Sequence, residues 1–216
     1  MSKKTKLLFV RHGYSVANLK SVFGGNLDYD LTQTGEKQAE IMADFVLKRY
    51  RIDAIYSSDL QRAVKTAEKV SKQLNLEIYK DKRLEEINAG LWNGMTFDDI
   101  QEKYPVEFTC WTTDLAKVKP PKGETISEVQ KRAFEAIEDI CAKEQGRTVL
   151  IATHRVLLRT VQCLWENRKI DDINKCVWLS NCSVSEVIYD DGRLIPVNIG
   201  QDSFMGNCRT IVNTAI

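Results

Sequence analysis

The amino-acid sequence predicts an α/β protein: a three-layer α/β/α sandwich with a mainly parallel central sheet. Two observations lead to this fold class. Short apolar runs of strand length alternate with longer segments in which apolar residues recur at helical spacing. The run at 149–152 is continuously apolar, as is typical of a strand buried on both faces of a parallel sheet. The chain has 216 residues and 43% hydrophobic content, so we expect a single domain over residues 1–216.

The first half of the chain contains three predicted strands and two predicted helices. Residues 6–10 favour a strand that ends in Arg-His-Gly, and helical spacing of apolar residues begins at Thr34. Residues 53–56 predict a second strand. The Ser-Ser-Asp that follows it favours the start of a helix that runs through Val70. A brief third strand is expected at 76–79.

The second half begins with a segment that lacks regular periodicity. Residues 83–121 contain two glycines, Pro105 and two tryptophans among them, and they predict an irregular segment with one short helix near 97–104. A long amphipathic helix over 126–140, a strand over 148–152 and a helix over 156–165 follow. Residues 183–189 and 193–199 flank Asp-Asp-Gly, which predicts a hairpin. No pattern predicts the structure of the tail after residue 201.

Composition narrows the classes of function. The chain has 31 basic and 30 acidic residues, which argues against a nucleic-acid-binding protein. The apolar run near the N-terminus has four residues, fewer than a secretory signal needs, and no stretch is long enough to span a membrane. Six cysteines without a Cys-x-x-Cys pair predict reduced, mostly buried thiols. We therefore expect a cytoplasmic protein with no nucleic-acid or membrane partner.

Three polar clusters follow predicted strands. They are Arg11-His12-Gly13, residues 58–62 (SDLQR) and residues 153–155 (THR). Ligands of open α/β sheets lie beyond the carboxyl ends of the strands, so these clusters predict a site there. The chain has two histidines, and both occupy such positions beside an arginine. No cluster has the spacing of metal ligands, and we expect neither a metal nor a cofactor.

Five segments in chain order resemble the histidine phosphatase superfamily, also called phosphoglycerate mutase-like. They are residues 8–13 (LFVRHG), 56–63 (YSSDLQRA), 83–90 (RLEEINAG), 121–125 (PKGET) and 153–154 (TH) with Arg159. Several residues also resemble the first loop of that family, namely Asn18, Gly25, Asp28, Leu31-Thr32 and Gly35. The resemblance covers roughly residues 7–165. It implies the superfamily's α/β/α fold and hydrolysis of a small phosphorylated metabolite.

The resemblance also implies the roles of individual residues. His12 would be the nucleophile, and Arg11, Arg62 and His154 would form the phosphate pocket, with two guanidiniums and an imidazolium supplying the positive field. The attacking nitrogen of His12 must be neutral, so we expect its other nitrogen to donate to a fixed acceptor such as a backbone carbonyl.

The remaining members of the implied site donate hydrogen bonds or transfer protons. Asn18 would donate to a phosphate oxygen, and Gly24 and Gly25 would border the substrate. The general acid would be Glu86 rather than Glu85, because the family carboxylate stands four residues before a glycine. It would protonate the leaving oxygen and then, once ionised, activate water.

Two positions depart from the family pattern. Tyr14 stands where an acidic residue is usual, and it alters either substrate contacts or only loop packing. Arg155 follows His154 where a small residue is commoner. Its side chain either points to solvent or adds a cation at the pocket rim, which would favour a substrate with a second phosphate or a carboxylate.

The segment after Gly90 bears on the reaction. It resembles the phosphatase branch, including the fructose-2,6-bisphosphatase domain. Glycolytic mutases carry an adjacent arginine pair there, whereas this chain has no arginine between Gly90 and Pro120. Hydrolysis is therefore favoured over the first alternative, a cofactor-dependent phosphoglycerate mutase. The second alternative, a non-catalytic phosphate-binding protein, would be expected to lack His12 or the acid, and this chain has both. A homodimer through an edge strand near the C-terminal hairpin is also possible on this sequence.

Overall fold

A computed structural model describes residues 3–210, and its centre is a mixed sheet. The strands are β1 (Thr5–Arg11), β2 (Ala54–Ser57), β3 (Ile78–Lys80), β4 (Thr148–Thr153), β5 (Val184–Asp190) and β6 (Arg193–Gln201). Their order across the sheet is β3-β2-β4-β1-β5-β6. Strands β1 to β4 pair in parallel, while β5 is antiparallel to both β1 and β6. The predicted mainly parallel sheet is confirmed.

Helices cover both faces of this sheet. They are α1 (Val16–Leu19), α2 (Gln33–Arg49), α3 (Gln61–Leu74), α4 (Phe97–Lys103), α5 (Pro105–Thr113), α6 (Ile126–Lys143) and α7 (Arg155–Trp165). Short 3₁₀ helices lie at Lys82–Leu84, Gly90–Trp92, Leu115–Lys117, Ile170–Lys175 and Ser203–Cys208. Thr32 and Thr125 cap α2 and α6 by accepting main-chain N–H bonds, which explains where these helices begin.

Alternate residues of the central strands serve two separate cores. In β1, Leu8 and Val10 pack with apolar residues of α2 and α3, whereas Leu7 and Phe9 pack with those of α6 and α7. All four side chains are buried. A strand covered by helices on both faces has no solvent side, which is why these strands read as continuous apolar runs. The arrangement is the predicted three-layer sandwich.

The excursion before α6 holds more helix than the sequence predicts. The expected helix near 97–104 is present as α4, but a second helix, α5, follows it at once. Pro105 is the first residue of α5, where the missing N–H of proline costs nothing. The prediction was wrong here because proline was interpreted as a break rather than as a start.

The C-terminal hairpin forms as predicted. Its two-residue turn has positive φ at Asp191 (47°) and Gly192 (79°), the backbone that a tight hairpin requires. Strand β6 forms one edge of the sheet, so the edge strand is present, and the homodimer stays a prediction. In the tail, Phe204 stacks on Phe45 at 3.8 Å between ring centroids. Residues 211–216 lie outside the described part of the chain.

The sheet brings the three polar clusters to one edge. The main-chain N–H of His12 donates to Thr153 O at 2.9 Å, and that of Ser58 donates to Ala152 O at 3.1 Å. These bonds continue the parallel ladders just beyond the ends of β1, β2 and β4. The residues after three separate strands therefore meet at one place, as the sequence predicts.

Candidate active site

His12 lies at the end of β1 and is held in one tautomer. Its Nδ1 is 2.7 Å from Gly13 O, and because a carbonyl only accepts, Nδ1 carries the proton. Asn181 Nδ2 donates to His12 O at 2.9 Å and fixes the main chain. Burial, followed by the nearby Arg62 and Arg11, lowers the pKa of His12 well below 6.5. The ring is therefore neutral at pH 7, with the lone pair of Nε2 left for attack.

Two buried arginines are fixed by main-chain carbonyls. Arg11 Nη1 donates to Leu179 O at 2.6 Å. Arg62 donates through Nη1 to Leu27 O and through Nη2 to Gly25 O, both at 2.7 Å. Burial lowers the pKa of Arg11 to about 10 and also lowers that of Arg62, and both guanidiniums remain charged at neutral pH. Two cations are thus fixed in orientation beside the imidazole of His12.

His154 ends β4 and lies against the first histidine. The two ring centroids are 5.1 Å apart, and His154 Nε2 is 2.6 Å from the hydroxyl of Ser58. Burial, then Arg62 and His12, lower the pKa of His154 well below 6.5. In the ligand-free protein this imidazole is therefore neutral at pH 7. A fully buried ring among cations disfavours a further positive charge, so the imidazolium expected from the sequence stays a prediction for the site with an anion bound.

The structure distinguishes the two adjacent glutamates. Glu86 is buried and lines the cavity beside His12. Its carboxylate accepts from Val156 N at 3.1 Å and Ile87 N at 3.0 Å, and more weakly from Leu157 N at 3.4 Å. Glu85 instead is half-buried, and burial together with Asp59 raises its pKa to about 7. Of the two carboxylates, that of Glu86 is the one on the cavity wall.

The first loop supplies polar and glycine residues to the same cavity. Asn18 Oδ1 accepts from Ser15 N at 3.0 Å, which leaves its amide N–H groups as the part able to donate to a ligand. Gly24 and Gly25 both line the cavity. A Cβ on Gly25 would lie 1.8 Å from Asn93 Oδ1, and its φ is +46°, so glycine is required at that position.

One cavity of about 260 Å³ is lined by the predicted residues Arg11, His12, Asn18, Gly24, Gly25, Arg62 and Glu86. His154 is fully buried and is not among the lining residues. The polar side of the cavity combines neutral histidine, arginines, a carboxylate and amides, a set suited to holding a phosphoryl group and transferring protons around it. Its other wall is aromatic, with Phe23, Phe97 and Trp111. Tyr14 lines the cavity, and its hydroxyl donates to Asn18 O at 3.2 Å, so the departure at position 14 lies in the site as well as in the loop.

Asn181 and Thr210 are among the cavity residues that sequence reasoning missed, and they form a hydrogen bond of 3.1 Å with each other. Asn181 precedes β5, which runs antiparallel beside β1, so its amino end lies where β1 ends. The signal that could have identified Asn181 is its position: it is a polar residue just before β5, the strand that pairs antiparallel with β1. Thr210 belongs to the tail, for which no pattern was available.

Arg155, the first residue of α7, lies on the cavity wall rather than pointing away from it. Its guanidinium carbon is 4.0 Å from the centroid of the Trp178 ring. Burial, and then Arg11, lower the pKa of Arg155 to about 9, so it is charged at neutral pH. Of the two interpretations left open by the sequence, the structure agrees with a cation at the pocket.

Residues 3–210 contain neither a candidate metal site nor a membrane-spanning helix. No group of three or more histidine, cysteine, aspartate or glutamate side chains in that range is arranged to hold a metal ion. Within the same range, none of the helices combines the length and apolar character that crossing a bilayer requires. All six cysteines are free thiols, and four of them are buried, as the sequence predicts.

Comparison of the chain with known proteins identifies its family. The family model of the histidine phosphatase superfamily (branch 1) matches residues 7–201. Phosphoserine phosphatase 1 of Hydrogenobacter thermophilus is 37% identical over 73% of this chain and 74% of its own. A 2,3-bisphosphoglycerate-dependent phosphoglycerate mutase of Cytophaga hutchinsonii is 34% identical over 77% and 80%. The solved structure of Bacillus stearothermophilus YhfR has a TM-score of 0.89 and 32% identity, covering 93% of this chain and 99% of that one.

The chain belongs to the histidine phosphatase superfamily (branch 1). With relatives named as phosphatases, it is a phosphomonoesterase of the histidine phosphatase type. The family and the fold predicted from the sequence are both confirmed.

Proposed function

We propose that this phosphatase removes phosphate from a small phosphorylated metabolite through a phosphohistidine on His12. The observation that carries the proposal is the hydrogen bond of 2.7 Å between His12 Nδ1 and Gly13 O. It leaves Nε2 unprotonated in a cavity that also contains two fixed guanidiniums and the carboxylate of Glu86. Those are the groups that a metal-independent phosphoryl transfer needs.

In the first step, Nε2 of His12 attacks phosphorus and the bond from phosphorus to the ester oxygen breaks. The leaving oxygen takes a proton from Glu86, whose protonated form is favoured by the negative charge of the incoming phosphate, because an alkoxide is a poor leaving group. Arg11 and Arg62 stabilise the charge on the equatorial oxygens, and the amide of Asn18 donates to one of them. A phosphate dianion beside His154 favours its protonated form, so substrate would supply the charge that the protein alone disfavours.

In the second step, a water oxygen attacks the phosphorus of phosphohistidine. The ionised Glu86 accepts the water proton, the bond from phosphorus to nitrogen breaks, and phosphate leaves with His12 neutral again. Gly24 and Gly25 border the substrate from the first loop. The cytoplasmic location and the homodimer stay predictions.

The alternatives are a phosphoglycerate mutase and a non-catalytic phosphate-binding protein. Similarity to a relative named as a phosphoglycerate mutase supports the first alternative. The absence of arginine between Gly90 and Pro120 counts against it. The retention of His12 and Glu86 in one cavity counts against the second.

The test is phosphate release from a panel of esters in the presence of EDTA, comparing wild type with His12→Ala. The panel contains p-nitrophenyl phosphate, 3-phosphoglycerate, phosphoserine and fructose 2,6-bisphosphate. We expect release that survives EDTA and is lost in the variant. Isomerisation of 3-phosphoglycerate without release would favour the mutase, and binding of phosphate without any turnover would favour the non-catalytic protein.

A further inference from the structure

Arg155 is held in the cavity by a stack of side chains. The guanidinium carbon of Arg159, one turn along α7, is 3.7 Å from the Trp178 ring centroid, and that of Arg155 is 4.0 Å from it. Two guanidiniums that close to one ring do not fit on the same face, so the indole lies between them. Cation–π contacts of this kind are attractive on both faces of tryptophan. The side chain of Arg155 is thereby oriented before any ligand binds.

The stack is itself tied to the main chain. Arg159 is buried, and it donates from Nε to Cys176 O at 3.1 Å and from Nη2 to Asn174 O at 3.3 Å. Trp178 also contacts Trp111, a cavity residue, with ring centroids 6.2 Å apart. The support of Arg155 therefore extends from α7 through the loop before β5 to the aromatic wall of the site.

The cavity has one more cation than the phosphoryl group uses. Among the lining residues that the structure describes, the cations are Arg11, Arg62 and Arg155. The first two flank His12 and serve the transferred phosphoryl group. Arg155 follows His154 in the chain, lines the same cavity beside Val156 and stacks on Trp178. It is suited to a second anionic group on the same substrate.

We propose that Arg155, clamped by Trp178, binds a carboxylate on the leaving group of the substrate, so that the preferred esters are phosphorylated carboxylic acids. This inference rests on the proposed function, since it assigns the second half of the same substrate. The planar guanidinium matches a carboxylate with two parallel hydrogen bonds.

A carboxylate fits this place better than a second phosphate. The phosphoryl group at His12 is met by two guanidiniums, whereas Arg155 stands beside the Trp178 ring and within the field of the Glu86 carboxylate, which disfavours a second doubly charged group there. One guanidinium balances the single charge of a carboxylate, but leaves a phosphate dianion partly uncompensated in a desolvated site. Bisphosphorylated esters are accordingly expected to be the poorer substrates.

The test compares substrates that differ by the carboxylate alone. O-phosphoserine and O-phosphoethanolamine form such a pair, and fructose 2,6-bisphosphate represents the second phosphate. Arg155→Met keeps an apolar side chain against Trp178 and removes the cation. Arg168→Met is the matched control, since Arg168 is exposed just beyond α7 and pairs with Glu166.

We expect wild type to prefer phosphoserine to phosphoethanolamine in kcat/KM. Arg155→Met should lower kcat/KM for phosphoserine by about 10- to 100-fold, mainly through KM, the size expected for lost bonds to a charged group. Phosphoethanolamine should change by less than about threefold. Equal losses on both esters, no loss on either, or the largest loss on the bisphosphate would overturn the inference.

Failure of the proposed function gives a different result, namely no phosphate release from any ester by wild type. In that event calorimetric binding of the same two esters reads the site without turnover. Tighter binding of phosphoserine that is lost in Arg155→Met supports the carboxylate site. Equal binding of the two esters by wild type overturns it.

Discussion

Replacing Glu86 by glutamine tests both the chemistry and the architecture of the site. The carboxylate accepts from Ile87 N and, at the N-terminus of α7, from Val156 N and Leu157 N. Glutamine keeps the shape but removes the charge and the transferable proton. General acid–base catalysis contributes about 10²- to 10⁴-fold, so kcat on an alkyl phosphate should fall by that factor, about 2.7–5.4 kcal/mol in activation free energy.

The same substitution should lower stability modestly. Bonds to a charged acceptor are worth about 1.5–3 kcal/mol and neutral ones about 0.5–1.5 kcal/mol, and the positive end of α7 favours an anion by about 0.3–1 kcal/mol. Glutamine still accepts some of these bonds, so the free energy of unfolding should fall by about 1–3 kcal/mol. Denaturant titration measures this loss separately from kinetics.

The assay uses two leaving groups. With 3-phosphoglycerate the departing oxygen needs a proton, so Glu86→Gln should lose nearly all turnover. With p-nitrophenyl phosphate the leaving group departs unaided, and only the second step should slow, giving a burst of nitrophenol followed by slow release. Glu85→Gln is the matched control, because Glu85 pairs with Asp59 outside the cavity lining. Wild-type kcat in Glu86→Gln, or an equal loss in Glu85→Gln, would refute the assignment of the acid.

Three further predictions follow from contacts of the site. Arg62→Lys should lower kcat/KM about 100-fold or more, because one ammonium cannot donate to the carbonyls of Gly25 and Leu27 and also to phosphate. Steady-state kinetics measure this loss, and a decrease of less than about threefold would contradict the role of Arg62. Gly25→Ala should lower the free energy of unfolding by about 1–3 kcal/mol, since φ is +46° and the new Cβ would lie 1.8 Å from Asn93 Oδ1. Thermal unfolding measures this loss, and an unchanged melting curve would contradict the prediction. Because burial lowers the pKa of His12 and His154 in the folded protein, unfolding takes up protons below pH 6.5. The free energy of unfolding should therefore fall as pH is lowered from 6.5, by up to about 1.4 kcal/mol per pH unit for each histidine. Denaturant titrations at pH 7.5, 6.5 and 5.5 measure this dependence, and a flat profile would contradict the burial argument.

Much of the fold and site was predictable because the central strands are short and buried, and because reactive polar residues follow their carboxyl ends. Continuous apolar runs predicted a sheet covered on both faces, and the carboxyl ends of parallel strands necessarily meet at one edge. That reasoning placed His12 and His154 near each other, and their rings are 5.1 Å apart. The choice of Glu86 over Glu85 came from resemblance, and the cavity lining agrees with it.

What the sequence could not predict depends on contacts between distant segments. The orientation of Arg155 is set by Trp178, which is 23 positions away along the chain and carries no local signal. Asn181 reaches the site only because β5 runs antiparallel to β1. The protonation of His154 depends on how deeply the sheet and α7 bury it, and local pattern does not report burial. Helix α5 was missed because a proline at a helix start resembles a proline that ends one.

The most direct test of the central claim is to trap the phosphoenzyme. Turnover of p-nitrophenyl phosphate is quenched in alkaline denaturant, and the peptide containing His12 is analysed by mass spectrometry, with Glu86→Gln included to slow breakdown of the intermediate. The account predicts one phosphoryl group on His12, stable to alkali, labile to acid and absent from His12→Asn. A phosphoryl group on another residue such as Ser58, or steady turnover in His12→Asn, would contradict it.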